Sequence, residues 1–293
     1  MRKILSATII AVLMLTLLAA CGSNDSPESG FNANREIIVV SREAGSGTRG
    51  AFIEITGVQV SADGTTTDRT SAEAVIGTGG NAIMTNVAGD TFAIGYVSAG
   101  AIDDRFKAVT IEGVYPNAEN ILSGAYAIAR PFIVITGSEL SDVAQDFLNF
   151  ILSREGQDRV LDRGFVPVDS NAAAFVSNRA GGTVIVGGST SVEPLMQRLR
   201  EDYLAINTNA TIEVHGTGSG AGITGARDGV VDIGMSSRDI RDSEREFLDQ
   251  VITIAVDGIA VIVNNDNPVG DLSIEQVRDI FIGQITRWSA VLP

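Results

Sequence analysis

The sequence holds a single cysteine and a single histidine, Cys21 and His215. One cysteine excludes an internal disulfide, and the two residues together are too few for any Cys/His metal cluster, so only a carboxylate metal site stays open. Basic residues are also scarce. The 21 Lys and Arg against 36 Asp and Glu give a formal charge of −15 at pH 7, a balance that argues against nucleic acid as a partner. A hydrophobic fraction of 44% with 19% charged residues excludes a disordered chain and fits a globular one, and 293 residues favour two cores over one. Glycine is what the sequence has in plenty, 32 residues, many of them clustered in short loops where backbone must approach something closely.

Arg2 and Lys3 precede an apolar run from Ile4 to Ala20, the charged and apolar regions of a secretory signal. The run falls short of the ~20 apolar residues of a membrane span. It ends in Leu18-Ala19-Ala20-Cys21, which resembles a bacterial lipobox. On that resemblance residues 1–20 are a lipoprotein signal peptide cut before Cys21, which is then lipidated. The polar segment 21–35 is a flexible tether. The expected location is the extracytoplasmic face of the cell membrane, lipid-anchored, where ATP and nicotinamide cofactors are scarce.

From Glu36 onward short β-branched runs alternate with helical patterns, the signature of an α/β protein. Strands are expected at Glu36–Ser41, Ala93–Val97, Ala108–Ile111, Phe132–Thr136, Thr183–Gly187, Thr211–Val214, Val231–Met235 and Gly258–Val263. Ser141 caps a helix with Val143, Phe147 and Ile151 on one face. Ser243 to Glu246 and Ser273 to Gln276 fit the capping-box spacing, and Gly164 supplies a helix stop. The polar stretch 169–182 has no periodicity and reads as a linker.

Three loops share one design. The first strand runs into Arg42-Glu43-Ala44-Gly45-Ser46-Gly47-Thr48 before a helix from Arg49 to Ile55. Thr183–Gly187 is followed by Gly188-Ser189-Thr190-Ser191 and a helix whose apolar face is Val192, Leu195, Leu199 and Tyr203. Thr211–Val214 is followed by Gly216-Thr217-Gly218-Ser219-Gly220-Ala221-Gly222 and a short helix from Ile223. A helix start offers free N–H donors and partial positive charge, and hydroxyls add donors whose hydrogens rotate. Such loops can hold a tetrahedral oxyanion without lysine. Plain N-capping is the better explanation of any one of them taken singly. Three together with Arg42 favour the anion reading. Gly216, Gly218 and Ala221 also fit a weak dinucleotide fingerprint, but no loop carries the G-K-[ST] of a P-loop, and export argues against both.

Several segments carry a resemblance: GGSTSVEPLM at Gly187–Met196, GTGSGAGI at Gly216–Ile223, DIGMSSR at Asp232–Arg238, VDGIAVIVN at Val256–Asn264, and Ser273–Trp288. To these add VSREAGSGTRGAF at Val40–Phe52, AIGYV at Ala93–Val97, and Ser123–Pro131 followed by Phe147–Pro167. The chain resembles the PstS-like phosphate-binding lipoproteins of phosphate ABC transporters, over nearly all of its length from Arg35. The order of its halves differs from the family's. There the GSTS segment comes first and the SREAGSGTR segment after the W-S motif, so this chain resembles a circular permutant. A fragment of a tandem array would give the same order.

The resemblance implies a two-lobed type II periplasmic-binding-protein-like α/β fold. One lobe would comprise 36–126 plus 264–293 and the other 127–263, with 169–182 joining the family's natural ends and crossings near Tyr126–Pro131 and Val263–Asn265. The implied phosphate ligands are Arg42, Ser46, Gly47, Thr48, Thr190, Ser191 and Ser219. Ser237 stands where some relatives carry an acidic residue that accepts the phosphate proton. Asp257, a carboxylate in an apolar run, is then the candidate acceptor, with a structural salt bridge as the competing explanation. No enzyme activity, cofactor or metal is implied. The expected partners are inorganic phosphate, a transporter permease and, through Cys21, the membrane, with the chain a monomer. A binding protein for sulfate or molybdate, a secreted phosphatase using His215 and a non-binding permuted relic are the rivals.

Overall fold

The computed structural model describes residues 30–62, 65–137 and 139–292. The expected signal peptide, Cys21 and most of the tether lie outside them. The architecture below belongs to the unit Ala33–Pro293.

Its strands are β1 Ile38–Arg42, β2 Gln59–Ala62, β3 Thr65–Asp68, β4 Val75–Gly77, β5 Ala93–Ser98, β6 Phe106–Ala108 and β7 Thr110–Ile111. They continue with β8 Ala129–Thr136, β9 Val166–Pro167, β10 Gly182–Gly188, β11 Ala210–Gly216, β12 Ile233–Ser236, β13 Gln250–Asn264 and β14 Asp271–Leu272. The helices that matter for the site are α1 Gly47–Ile55, α2 Gly79–Gly89, α3 Ala118–Leu122, α4 Asp142–Leu152, α5 Arg154–Asp162, α6 Glu193–Ile206 and α7 Ser219–Arg227.

One mixed sheet runs in the order β11-β10-β12-β8-β13-β5-β1-β4. Its two ends are parallel and its middle antiparallel: β10 lies parallel to β11 and β12, and β1 parallel to β4 and β5, whereas β13 runs antiparallel to both β8 and β5. The long β13 belongs to both halves. Residues 250–258 pair with β8 and 259–263 with β5. Ile259 to Val263 are fully buried, which is why this stretch reads as a continuous apolar run rather than an alternating one.

Each half has its own core. Val143, Phe147 and Ile151 of α4 pack with Leu195, Leu199 and Tyr203 of α6 against Val184, Val186 and Phe132. In the other half Ile83 and Val87 of α2 pack against Val40, Ala93, Ala260 and Ile262.

Several elements differ from expectation for identifiable reasons. The expected strand Ala108–Ile111 is two strands, because β6 pairs with β13 while β7 turns to pair with β14. The chain changes partners at Gly258, earlier in sequence than the expected crossing at Val263–Asn265, since Ile259 already lies opposite Ser98. The capping box expected at Ser243–Glu246 sits earlier as well. The Glu244 carboxylate accepts from the Arg241 backbone N–H at 3.0 Å, opening the short helix Asp242–Arg245. The box at Ser273–Gln276 forms as expected, with bonds of 2.9 and 3.1 Å, and Ser141 caps α4.

The stretch 169–182 is irregular until β10 begins, yet it is tied down. The buried Asp146 carboxylate accepts from the Ser177 hydroxyl (2.7 Å), the Asn178 N–H (3.0 Å) and the Tyr203 hydroxyl (3.0 Å), and Phe175 packs edge-on against Phe150. The segment after β13 packs against the part of the sheet that holds β1 and β5. Phe281 packs against Phe52 and Tyr96, Trp288 Nε1 donates to the Phe92 carbonyl, and Ile37 N–H donates to Thr286.

Candidate functional site

The three glycine-and-hydroxyl loops meet. Arg42 ends β1 with 2% of its surface exposed. One terminal nitrogen donates to Thr190 Oγ1 at 2.9 Å, and the other reaches Thr48 Oγ1 at 3.4 Å. Thr48 Oγ1 and Ser191 Oγ are 2.7 Å apart. Beneath them lies a second tier. Ser189 Oγ donates to Ser237 Oγ at 2.8 Å, and the Ser237 N–H donates to Ser219 Oγ at 3.1 Å. Loops far apart in sequence thus lie within hydroxyl contact of one another.

Local chemistry explains each placement. Ser46 caps α1, its hydroxyl accepting from the Arg49 N–H, so Gly47 and Thr48 open that helix. Helix α7 starts at Ser219 rather than Ile223, because Gly218 adopts a φ of +97°, a conformation that other residues take only with strain. Gly47 must be glycine for want of space. A Cβ there would collide with the Ser219 hydroxyl and come within 2.6 Å of that of Ser237. Helix α7 likewise lies so close to the sheet that a Cβ on Gly222 would be 2.7 Å from Gly188 Cα.

Seven of the residues singled out from sequence are therefore brought together: Arg42, Gly47, Thr48, Thr190, Ser191, Ser219 and Ser237. Ser46 stands at the rim of this nest, engaged as a helix cap. Asp257 has a different surrounding. It is not an isolated carboxylate, the premise on which it was expected to accept a proton. Its Oδ2 takes two N–H groups of Arg130, at 2.9 and 3.2 Å, and its Oδ1 takes the Ser98 hydroxyl at 2.9 Å. Both side chains of the ion pair are essentially inaccessible to solvent. The pair is tied to the nest through Arg130, whose third nitrogen donates to the Ser237 carbonyl at 3.2 Å.

Two contributors escaped the sequence reading. Ser189 lay inside the GSTS segment beside the chosen hydroxyls. Its oxygen accepts from the Ser191 and Val192 N–H groups, fixing the loop. Arg130 opens the apolar strand β8 directly opposite Asp257 on β13. Two opposite charges, each stranded in an apolar run, were the available signal.

The electrostatics are dominated by guanidinium groups with differing counter-ions. Burial alone would raise the pKa of Glu43, but the hydrogen bond and charge of Arg42, together with backbone N–H groups including that of Gly79, hold it below the usual glutamate value. For Asp257 burial is the largest influence and pushes the carboxyl up, with Arg130 and Ser98 opposing it. Among the described residues no group of three or more His, Cys, Asp and Glu is placed to hold a metal ion. His215 lies on β11 with 56% of its side chain exposed, 3.6 Å from Glu213, outside the nest.

Beside the nest is a cavity of about 580 Å³ whose lining includes Arg42, Thr190, Ser191, Gly79, Arg105 and Phe165. Every hydroxyl in the nest bonds to another hydroxyl, an N–H or a guanidinium. An oxyanion can replace those partners without stranding a donor, because hydroxyl hydrogens rotate. With two helix N-termini and no lysine among its groups, the nest can bind a small anion of several oxygens.

Two α/β halves joined through a shared strand, with donors from both converging on one nest, define a solute-binding protein. The PBP superfamily domain model matches residues 2–155 and 173–293. The chain is 41% identical over 292 residues to phosphate-binding protein PstS 2 of Streptococcus agalactiae, covering 98% of each. Against the protein of the same name from Streptococcus pneumoniae it is 40% identical over 274 residues, 94% of each. Among solved structures, a phosphate-binding protein of a phosphate ABC transporter from Streptococcus pneumoniae matches with a TM-score of 0.73 and 40% identity, over 88% of this chain and 100% of that one. The chain belongs to the PBP superfamily and, within it, to the PstS-like family. Among the described residues no helix is long and apolar enough to cross a membrane.

Proposed function

We propose that this protein captures inorganic phosphate in the nest formed by Arg42, Gly47, Thr48, Thr190, Ser191, Ser219 and Ser237, with Ser46 at its rim, and delivers it to the permease of an ABC transporter. The observation that carries this reading is the convergence of hydroxyl and helix-start donors from three separate loops on one nest, with the buried Arg42 guanidinium bonded to Thr190 and Thr48. It is supported by relatives named for phosphate binding at 40–41% identity. A hydrolase reading would need a nucleophile with a base in reach, and the exposed His215 is poorly placed to serve one. The protein works at the extracytoplasmic face, held by a lipid on Cys21. Intact-mass measurement of the native protein checks that anchor, and an unmodified Cys21 would exclude it.

On the same reading the halves, whose order is shared by the PstS 2 relatives that align with this chain over 98% of its length, are permuted relative to other PstS-like proteins and closed within a monomer by the segment 169–182. The anchoring of that segment on Asp146 supports its role as a closing link. Light scattering of the phosphate-loaded protein should give a monomer mass. Binding confined to a dimer fraction would mean that the halves complete one another between chains.

The central test is calorimetric titration of the mature chain with phosphate, sulfate and molybdate. Phosphate should bind most tightly. A preference for sulfate or molybdate would transfer the protein to another oxyanion, and no binding of any of the three would reject the reading.

A further inference from the structure

The Arg130–Asp257 pair is built more elaborately than a structural ion pair requires. The two residues face each other in the β8–β13 register just where β13 changes partners. Asp257 is bound by Arg130 from one half and by Ser98, at the end of β5, from the other. Arg130 spends two nitrogens on the carboxylate and its third on the Ser237 carbonyl, and its guanidinium lies 5.4 Å from the centre of the Phe132 ring. Ser237 in turn bonds through its hydroxyl to Ser189 and through its N–H to Ser219. A continuous chain of bonds therefore joins a buried charge pair to the lower tier of the nest.

The charged and titratable groups around the pair are few. Arg42 of β1 is close enough to Arg130 for the two positive charges to repel. Tyr96 of β5 and Tyr126, just before β8, are the others that sense the pair. Burial and, for Tyr126, the Asp257 charge raise the pKa of both phenols, so they stay neutral. The charge beneath the nest is thus settled by one guanidinium and one carboxylate. Charges in such surroundings are weakly screened and act over several ångströms.

We propose that Arg130 is a positioning residue of the anion nest and that Asp257, by balancing it, sets the net charge of the anion the nest prefers. This rests on the nest being an oxyanion site. Arg130 fixes Ser237 through its carbonyl, and with Asp257 ionised the pair adds no net charge beneath the ligand. An anion carrying one negative charge and a proton then competes well against a fully ionised dianion. Removing the carboxylate charge leaves Arg130 unbalanced and shifts the preference toward the dianion.

The test is titration of the full mature chain with phosphate and sulfate near neutral pH, where much of the phosphate is still a monoanion, sulfate is a dianion, and the Asp257 carboxyl, raised by burial, is less open to protonation than in acid. Asp257→Asn keeps the shape and the acceptor oxygen while losing the charge. It should raise sulfate affinity relative to phosphate by roughly tenfold or more. An unchanged ratio overturns the proposal. Arg130→Met/Asp257→Leu removes both charges, a replacement that a folded core commonly tolerates, and a thermal melt confirms folding. It should lose phosphate affinity because Ser237 is no longer held. Wild-type affinity in this folded variant would make the pair structural only and overturn the proposal. Where Asp257→Asn does not fold, the double variant decides: with both charges gone its sulfate-to-phosphate ratio should stay at the wild-type value while its phosphate affinity falls, and a shifted ratio overturns the proposal. A wild-type chain that binds neither anion overturns the functional reading and this proposal together, whereas a binding wild type with unmoved variants overturns the proposal alone.

Discussion

Two buried arginines approach the nest from opposite halves of the sheet, and they differ in how they are balanced. Arg42 pairs with its chain neighbour Glu43, at 2.7 and 2.8 Å, and that carboxylate keeps 23% of its surface in solvent. Arg130 pairs with Asp257 across 127 positions of sequence, in a site that water does not reach. A local, solvent-touched counter-ion can yield part of its hold to an incoming anion at little cost. A sealed one cannot, because any charge left alone there loses its only compensation. The first arrangement suits a residue that meets ligand, and the second suits one that holds the frame around it.

The comparison is broken most severely by removing Arg130 alone. Arg130→Met leaves Asp257 buried without its partner, and the loss of stability should be about 3–5 kcal/mol, the range for one half of a buried ion pair. Urea unfolding measures it. A loss under about 1 kcal/mol, the scale of an exposed pair, would mean that the site is wetter than its burial indicates and that the two arginines are not different in kind.

Arg42→Ala should act on affinity instead. It removes a charge-assisted donor from the nest, and phosphate binding should weaken by about 1.5–3 kcal/mol, the usual scale for a hydrogen bond to a charged group. Arg42→Lys should recover only part of this, since an ammonium cannot reproduce the planar fork that spans Glu43 and Thr190. Titrations indistinguishable from wild type would remove Arg42 from the site.

These two arginines also show what the sequence made legible. The Arg42 loop announced itself because its parts are contiguous: a strand end, Gly45, the Ser46 cap and a helix start lie within a few residues. The same holds for Gly188–Ser191 and Gly216–Ser219, so three loops could be picked out without knowing that they meet. Their convergence needed the family resemblance, since nothing in local periodicity brings Thr48 to Ser191 across 143 positions.

The pairing of Asp257 with Arg130 could not be assigned for the same reason, although both charges stand out in apolar runs. A charge in an apolar run says that compensation exists without saying where. The sequence places the start of a strand at Gly258, whereas β13 begins at Gln250 and passes straight through it, because β8 on one side and β5 on the other keep pairing continuous. The hairpin β2–β3 was missed because Gln59–Ala62 and Thr65–Asp68 are exposed on nearly every residue, leaving no apolar alternation to read.

The smallest expected effect sharpens the comparison from the Arg42 side. Glu43 has its pKa lowered in the fold, so its ionised form is the stabilising one. That contribution is complete above the ordinary glutamate value of 4.5 and is lost as pH falls below it through the folded-state value. Because the carboxylate is partly in solvent, the pair should be worth only about 0.2–1 kcal/mol. Glu43→Gln should therefore cost no more than that at pH 7, and the difference from wild type should shrink on acidification below pH 4.5. The same variant keeps an amide oxygen for Arg42 while withdrawing the competing charge, so phosphate should bind slightly more tightly. It should shift the sulfate-to-phosphate ratio less than Asp257→Asn does, because water already screens Glu43. Parallel titrations of the two variants measure this directly. An equal or larger shift from Glu43→Gln would show that the exposed carboxylate, rather than the sealed one, governs the charge beneath the ligand.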